Sequence, residues 1–155
     1  MHVLLTGMSG TGKSAVVAEL RRRGVNAVDA DDDGYAEPAA DGVWRWRIRE
    51  VEQLLAGAGD DPLFFAGCSD EQTQVHWDLK LLLTAPKAII LERLATRTTN
   101  PFGESAGERE RVLADLRDVE PLLRRLADLV IDTTEPLGRV VDRVLLAASE
   151  AEPRL

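Results

Sequence analysis

The chain predicts an α/β fold, a five-stranded parallel sheet flanked by helices on both faces. Two observations point to it. Short apolar runs such as Val3-Leu4-Leu5, Leu63-Phe64-Phe65 and Leu129-Val130-Ile131 alternate along the chain with segments of helical periodicity. The first such run leads straight into a glycine-rich turn and then a helix, the beginning of a βαβ unit. No internal repeat or low-complexity stretch interrupts the alternation.

The elements are expected in this order. A strand at about 2–6 precedes a helix at about 13–23, closed by Gly24. Residues 25–28 form a second strand that runs into the acidic loop Asp29-Ala30-Asp31-Asp32-Asp33-Gly34, continued by Pro38 to about Gly42. Residues 44–56 read as a helix with Trp44, Ile48, Val51 and Leu55 on one stripe. The third strand, 62–66, ends at Gly67-Cys68-Ser69-Asp70, and a short helix follows at about 70–76. The fourth strand spans 78–84, and Pro86 opens a helix to about Arg97. A break at 98–107 reads as a short lid with Gly103 and Gly107 as hinges. Helix resumes at 108–127, with Pro121 as a kink or boundary. A fifth strand at 129–132 and an amphipathic helix from Glu135-Pro136 to about Ser149 complete the fold.

The length fits one domain over residues 1–150, with 151–155 expected to fray. A net charge of −8 excludes global attraction to nucleic acid or to an anionic membrane, so neither is an expected partner. The apolar runs fall well short of the roughly 18 residues a membrane span needs, and no basic, apolar leader stands where the first strand begins. The single cysteine, Cys68, permits neither an internal disulfide nor a cysteine metal cluster, and the expected setting is reducing and cytoplasmic. Monomer and homodimer are equally open from the sequence.

Gly7-Met8-Ser9-Gly10-Thr11-Gly12-Lys13-Ser14 matches G-x-x-x-x-G-K-[ST], the phosphate-binding P-loop. Its glycines let the backbone curl so that several N–H groups face one anion. Lys13 reaches the β- and γ-phosphates, and the Ser14 hydroxyl ligates the bridging Mg²⁺. The helix that begins at Ala15 adds its dipole. The expected ligands are therefore ATP and Mg²⁺ on Gly7 to Ala15. A carboxylate should hold a metal-bound water, with Asp29 the first choice and Asp70 the second.

The P-loop followed by Val28-Asp29-Ala30-Asp31 resembles the small P-loop kinases of the nucleoside monophosphate kinase group, with shikimate kinase the nearest branch. Trp46-Arg47-Ile48-Arg49-Glu50 is similar to the family's aromatic-Arg-x-x-Glu. Pro121-Leu122-Leu123 and Val130-Ile131-Asp132-Thr133 are similar to its C-terminal patterns. The resemblance implies a metal role for Asp29 and an acceptor-hydroxyl role for Asp31. It places arginines at the lid base, here Arg93 and Arg97, on the adenine or the transferring phosphoryl group. Two departures stand out. Ala66-Gly67-Cys68 replaces the family's triple-glycine turn, and Arg97-Thr98-Thr99-Asn100-Pro101-Phe102-Gly103 replaces its arginine-led lid motif. The resemblance thus implies phosphoryl transfer to a small acceptor and leaves the acceptor unnamed.

The expected acceptor site lies between Asp31, Arg47 and Gly67, with Lys13, Asp31 and Arg97 catalytic. Arg47 suits an anionic acceptor because its planar fork pairs bidentately. Against that, Arg45, Arg47 and Arg49 also fit a salt-bridged surface, and Asp31-Asp32-Asp33 fits a solvated turn. Of Trp44 and Trp46, one is expected in the core and one on the acceptor wall. Cys68 reads as a small buried apolar residue and His76 as a partly buried packing residue. Asp132-Thr133-Thr134 is expected beside the adenine pocket, touching the base by backbone and not by side chain. The rival reading is a regulatory or accessory ATPase without a small acceptor. A GTPase is disfavoured, since no N-K-x-D motif is present.

Overall fold

A computed structural model describes residues 1–96 and 106–152. Its elements are β1 (His2–Thr6), α1 (Lys13–Arg22), β2 (Ala27–Asp29), β3 (Ala36–Pro38), β4 (Trp44–Trp46), α2 (Ile48–Ala56) and β5 (Leu63–Ala66). A 3-10 helix (Asp70–Gln74) follows, then β6 (Leu79–Thr84), α3 (Lys87–Thr96), α4 (Ala106–Asp118), α5 (Glu120–Leu126), β7 (Leu129–Asp132) and α6 (Leu137–Ala151).

The main sheet has the order β2-β5-β1-β6-β7, and every pairing in it is parallel. Leu4 lies opposite Phe65, and Leu5 opposite Leu81, so β1 is covered on both edges. Each strand alternates between faces with the period of two that extended backbone imposes. Val3, Leu5, Phe64 and Leu81 join Val16, Leu20, Val141 and Val144 of α1 and α6. Leu4, Leu63 and Phe65 join Trp46, Val51, Leu55 and Trp77 on the other face. The five-stranded parallel sheet between helical layers is the expected fold.

The segment 44–56 differs from the expected helix. Helix α2 begins only at Ile48; before it, β3 and β4 form an antiparallel hairpin with Ala36 opposite Trp46 and Pro38 opposite Trp44. The turn is closed by Ala39 N–H to Val43 O at 2.9 Å and by Val43 N–H to the Asp41 carboxylate at 3.0 Å. The physical reason is alternation. In Trp44-Arg45-Trp46 the period of two puts both tryptophans on one face of the hairpin, with Trp46 buried at the end that meets the core and Trp44 exposed beside the turn. Asp41-Gly42 between the strands was the available hairpin signal.

Smaller differences have equally local causes. Pro121 stands in the first turn of α5, where its missing N–H costs nothing, so 108–127 divides into α4 and α5. Gly107 lies inside α4 and not in a hinge loop. Helix α6 runs through Ala151, anchored by buried Ala147 and Ala148. Cys68 is exposed and not a buried apolar residue, because it follows the strand end on the open side of the turn. His76 is also exposed, its ring beside Asp78 at 3.6 Å, because its neighbours Val75 and Trp77 take the inward positions. The expected lid residues 98–105, Arg97 and the tail from 153 onward lie outside the described residues.

Trp46 packs edge-on against Phe65 (ring centroids 5.0 Å apart) and against Trp77 (6.2 Å). Trp46→Ala should therefore destabilise the chain by about 3–5 kcal/mol, read as a lower midpoint in urea denaturation. A variant with an unchanged midpoint would refute this account of the second core.

Candidate functional site

The site lies at the carboxyl ends of β1, β2 and β5, where parallel α/β sheets place ligands. β1 ends at Thr6 and the chain turns through Gly7–Gly12 into α1. Gly12 occupies the cap position of α1 with φ of 98°, a left-handed conformation that a side chain would strain. This turn aims the amides at the start of α1 into the space above the sheet.

Lys13 Nζ donates to Gly7 O at 2.6 Å and to Met8 O at 2.9 Å, so the ammonium lies within the curl of the loop. Ser14 Oγ donates to Asp29 Oδ2 at 2.7 Å. Asp29 is buried, and its other oxygen accepts the amides of Asp31 (3.1 Å) and Asp32 (3.3 Å). The structure thus pairs Ser14 with Asp29; Asp70 stands at the start of the 3-10 helix. A hydroxyl next to a carboxylate is a hard oxygen donor set, which fits Mg²⁺. Among the described residues no cluster of three or more His, Cys, Asp or Glu side chains forms a separate metal cage.

Asp31 stands on the same loop. Loss of hydration among the crowded strand ends pushes its carboxyl above the ordinary carboxylate range, and the Asp29 carboxylate adds to the push. The Lys13 ammonium opposes both, which places Asp31 within electrostatic reach of the P-loop lysine. Asp33 has a different task. It accepts the Asp29 amide at 2.7 Å and pairs with Arg21, holding the acidic loop against α1.

Arg93 is not open to a ligand at its fork in this arrangement. Its guanidinium donates to Thr133 Oγ1 (2.9 Å), Thr133 O (2.7 Å) and Gly10 O (3.4 Å). Thr133 is buried, and its hydroxyl donates to Thr11 O at 2.6 Å, with Thr84 O at 3.2 Å. One side chain therefore ties the P-loop to the ends of β6 and β7. Sequence reasoning missed Thr133 and considered only its backbone. The available signal was a small hydroxyl residue directly after a strand that ends level with the P-loop.

A cleft of about 540 Å³ opens beside the loop. Met8 lies at its inner end, the hairpin residues Val43, Trp44 and Arg45 form one wall, and residues 68–73 form another. Asp115, Val119, Leu122, Leu123 and Leu126 of α4 and α5 close the third side. The expected acceptor residues are placed differently. Arg47 caps α2, pairs with Glu50 at 2.8 Å and Glu37 at 3.8 Å, and does not line the cleft. Arg45 lines it, together with Val43 and Trp44 of the same strand segment. Asp31 lies on the P-loop side and outside the lining. Gly67 serves packing: a β-carbon there would come within 2.9 Å of Ala30 Cβ and 3.0 Å of the Trp46 ring. Of the two tryptophans, Trp46 is in the core and Trp44 is on the cleft wall.

Glu71 holds the two polar walls together. Burial raises its carboxyl, but bonds from the Ser69 hydroxyl, its own amide, the Trp46 amide and Arg45 outweigh this and hold it below the ordinary range. Gln72 is buried and accepts the Thr6 hydroxyl at 2.9 Å, fastening the 3-10 helix to the end of β1.

Comparison with known proteins adds independent findings. The family described as "AAA domain" matches residues 3–114. The chain is 28% identical to a shikimate kinase of Halorhodospira halophila, over 98% of this chain and 95% of the relative. It is also 28% identical to a nucleotide-binding protein of Acidobacterium capsulatum, of which it spans 44%. In structure it is similar to a shikimate kinase from Acinetobacter baumannii in complex with shikimate. The TM-score there is 0.65 at 18% identity, covering 99% of this chain and 95% of that one. A gluconokinase from Sinorhizobium meliloti superposes with the same TM-score at 19% identity, covering 96% and 91%. The structural likenesses establish the fold. Among the described residues no helix is long and apolar enough to cross a membrane.

Two outcomes follow from the geometry. Thr133→Val leaves the Thr11 carbonyl and the Arg93 fork short of a partner, and should cost about 1–3 kcal/mol. Amide hydrogen exchange should quicken across Gly10–Gly12, and unchanged exchange there would remove Thr133 as the anchor. Asp31 has a higher pKa folded than unfolded, so the folded chain binds more protons between the two values. Stability then falls as pH rises through that window. Asp31→Asn should accordingly raise the melting temperature at pH 7 and flatten its dependence on pH near the acid edge.

Proposed function

The chain belongs to the AAA-domain family of P-loop proteins, and from that membership we propose that it transfers the γ-phosphoryl group of ATP to a hydroxyl of a small-molecule acceptor. The observation that carries the reading is the cleft of about 540 Å³ that begins at Met8 of the P-loop. A nucleotide site that only hydrolyses ATP or signals to a partner has no use for a second, adjoining concavity. The full-length similarity to shikimate kinases supports the same reading.

In this mechanism the amides of the P-loop and the Lys13 ammonium hold the phosphates, with the α1 dipole behind them. When bound, Mg²⁺ supplies charge neutralisation at the β- and γ-phosphates, and Ser14 and Asp29 are the residues that would hold it. The acceptor sits in the cleft with its hydroxyl towards Met8 and the acidic loop. Asp31 orients that hydroxyl and takes its proton as the oxygen attacks. The new P–O bond forms as the bond to the bridging oxygen breaks, and ADP leaves with that electron pair. The raised pKa of Asp31 makes it a stronger base than an ordinary aspartate. Arg93 acts as a positioning residue that keeps Gly10 and Thr133 in place. A role for Arg97 at the nucleotide belongs to the same proposal and lies outside the described residues.

Lys13→Ala should weaken ATP–Mg²⁺ binding about 10- to 100-fold, the equivalent of one charge-assisted hydrogen bond of ~1.5–3 kcal/mol. Calorimetric affinity equal to that of the parent would sink the P-loop assignment. Asp31→Asn should lower kcat by about 10²–10⁴ with little change in nucleotide affinity. In the parent, kcat/KM should fall as pH drops through the raised pKa of Asp31, where the base becomes protonated. A rate that stays level into the acid range would remove Asp31 as the base.

A further inference from the structure

The charged groups in the cleft are unequally divided. Among the described residues, Arg45 is its one cationic lining residue, against Asp70, Glu71 and Asp115. That arginine is already engaged: it pairs with Asp41 at 2.8 Å and with Glu71 at 3.4 Å, two carboxylates for one guanidinium. The next candidate clamp, Arg47, faces away and is paired with Glu50 and Glu37. Among the described residues, the side chains of Asp70 and Asp115 have no hydrogen-bonding or ionic partner. Trp44, which also lines the cleft, is 56% exposed. An aromatic face and unpaired carboxylates around one cavity are the elements of a cation receptor. Among the described residues, an acid entering it would meet an excess of negative charge and no open guanidinium.

Resting on the kinase reading above, we infer that the acceptor is a hydroxyl-bearing amine and not a hydroxy acid. Its ammonium lies between Asp115 and the Trp44 face, and its hydroxyl points to the P-loop. Asp115 is then a specificity residue: it contacts the substrate's charge and takes no part in the transfer step.

The test compares three acceptors of one carbon skeleton, gluconate, sorbitol and glucamine, with the parent chain, ATP and Mg²⁺, following ADP release. The expected order of kcat/KM is glucamine first and gluconate last, with at least a tenfold span. Asp115→Asn should narrow that span through the KM for glucamine. Asp115→Lys should shift preference towards gluconate, while ATP affinity and the melting curve stay those of the parent. Equal or faster transfer to gluconate overturns the amine assignment and leaves the kinase reading intact. A span unaffected by either Asp115 variant also overturns it. ADP release with none of the three, while calorimetry shows ATP bound, removes both readings together.

Discussion

The burial of β1 on both edges and both faces is the constraint on which the rest of the structure depends. Val3, Leu4 and Leu5 are at most 1% exposed, with β5 and β6 on either side. A strand so enclosed can release the chain only at its end. The P-loop therefore begins at the one point where neighbouring parallel strands also end, and Asp29 and the Gly67 turn arrive there by register. Thr133 reaches the same level from β7 and bonds back to the loop. The position of the site follows from strand pairing before any ligand is considered.

Around that point the chain gathers charge against its own stability. Asp29 is satisfied by one hydroxyl and two amides, so it can stay buried. Asp31 has no such support, and partial burial together with the neighbouring Asp29 carboxylate raises its pKa. Groups with raised pKa values that a folded protein tolerates in a concave region are frequently the reactive ones.

The far side of the site is built from less regular parts. A two-stranded hairpin, one 3-10 turn and two helices enclose the cleft. Glu71 holds the hairpin, and Gln72 holds the 3-10 helix to Thr6. Such walls can change composition without disturbing the sheet, which is why one fold of this kind serves acceptors of different chemistry. Here the walls have become acidic and aromatic. The formal charge of the chain, −8, is in that sense expressed locally at its cleft.

Most of the sheet was legible in the sequence, because buried parallel strands are short apolar runs and the P-loop is a contiguous motif whose backbone does the work. The pairing of Ser14 with Asp29 was legible for the same reason, since both stand at element ends adjacent to the motif. The hairpin was not, although Asp41-Gly42 and the alternation Trp44-Arg45-Trp46 carried the signal. Helical spacing through Ile48, Val51 and Leu55 overrode it. Read as a strand, the segment brings Arg45 to the cleft, while Arg47 stands at the start of α2. Thr133 and Asp115 were beyond the sequence for another reason. Thr133 bonds to Thr11, far away along the chain, and Asp115 lines a cleft whose other residues come from distant segments. The sequence alone determined the sheet, the glycine-rich P-loop and the carboxylate that meets Ser14, all set by local pattern. The tertiary structure alone decided what lines the cleft beside the P-loop, because that is a matter of which side chains meet across distant segments.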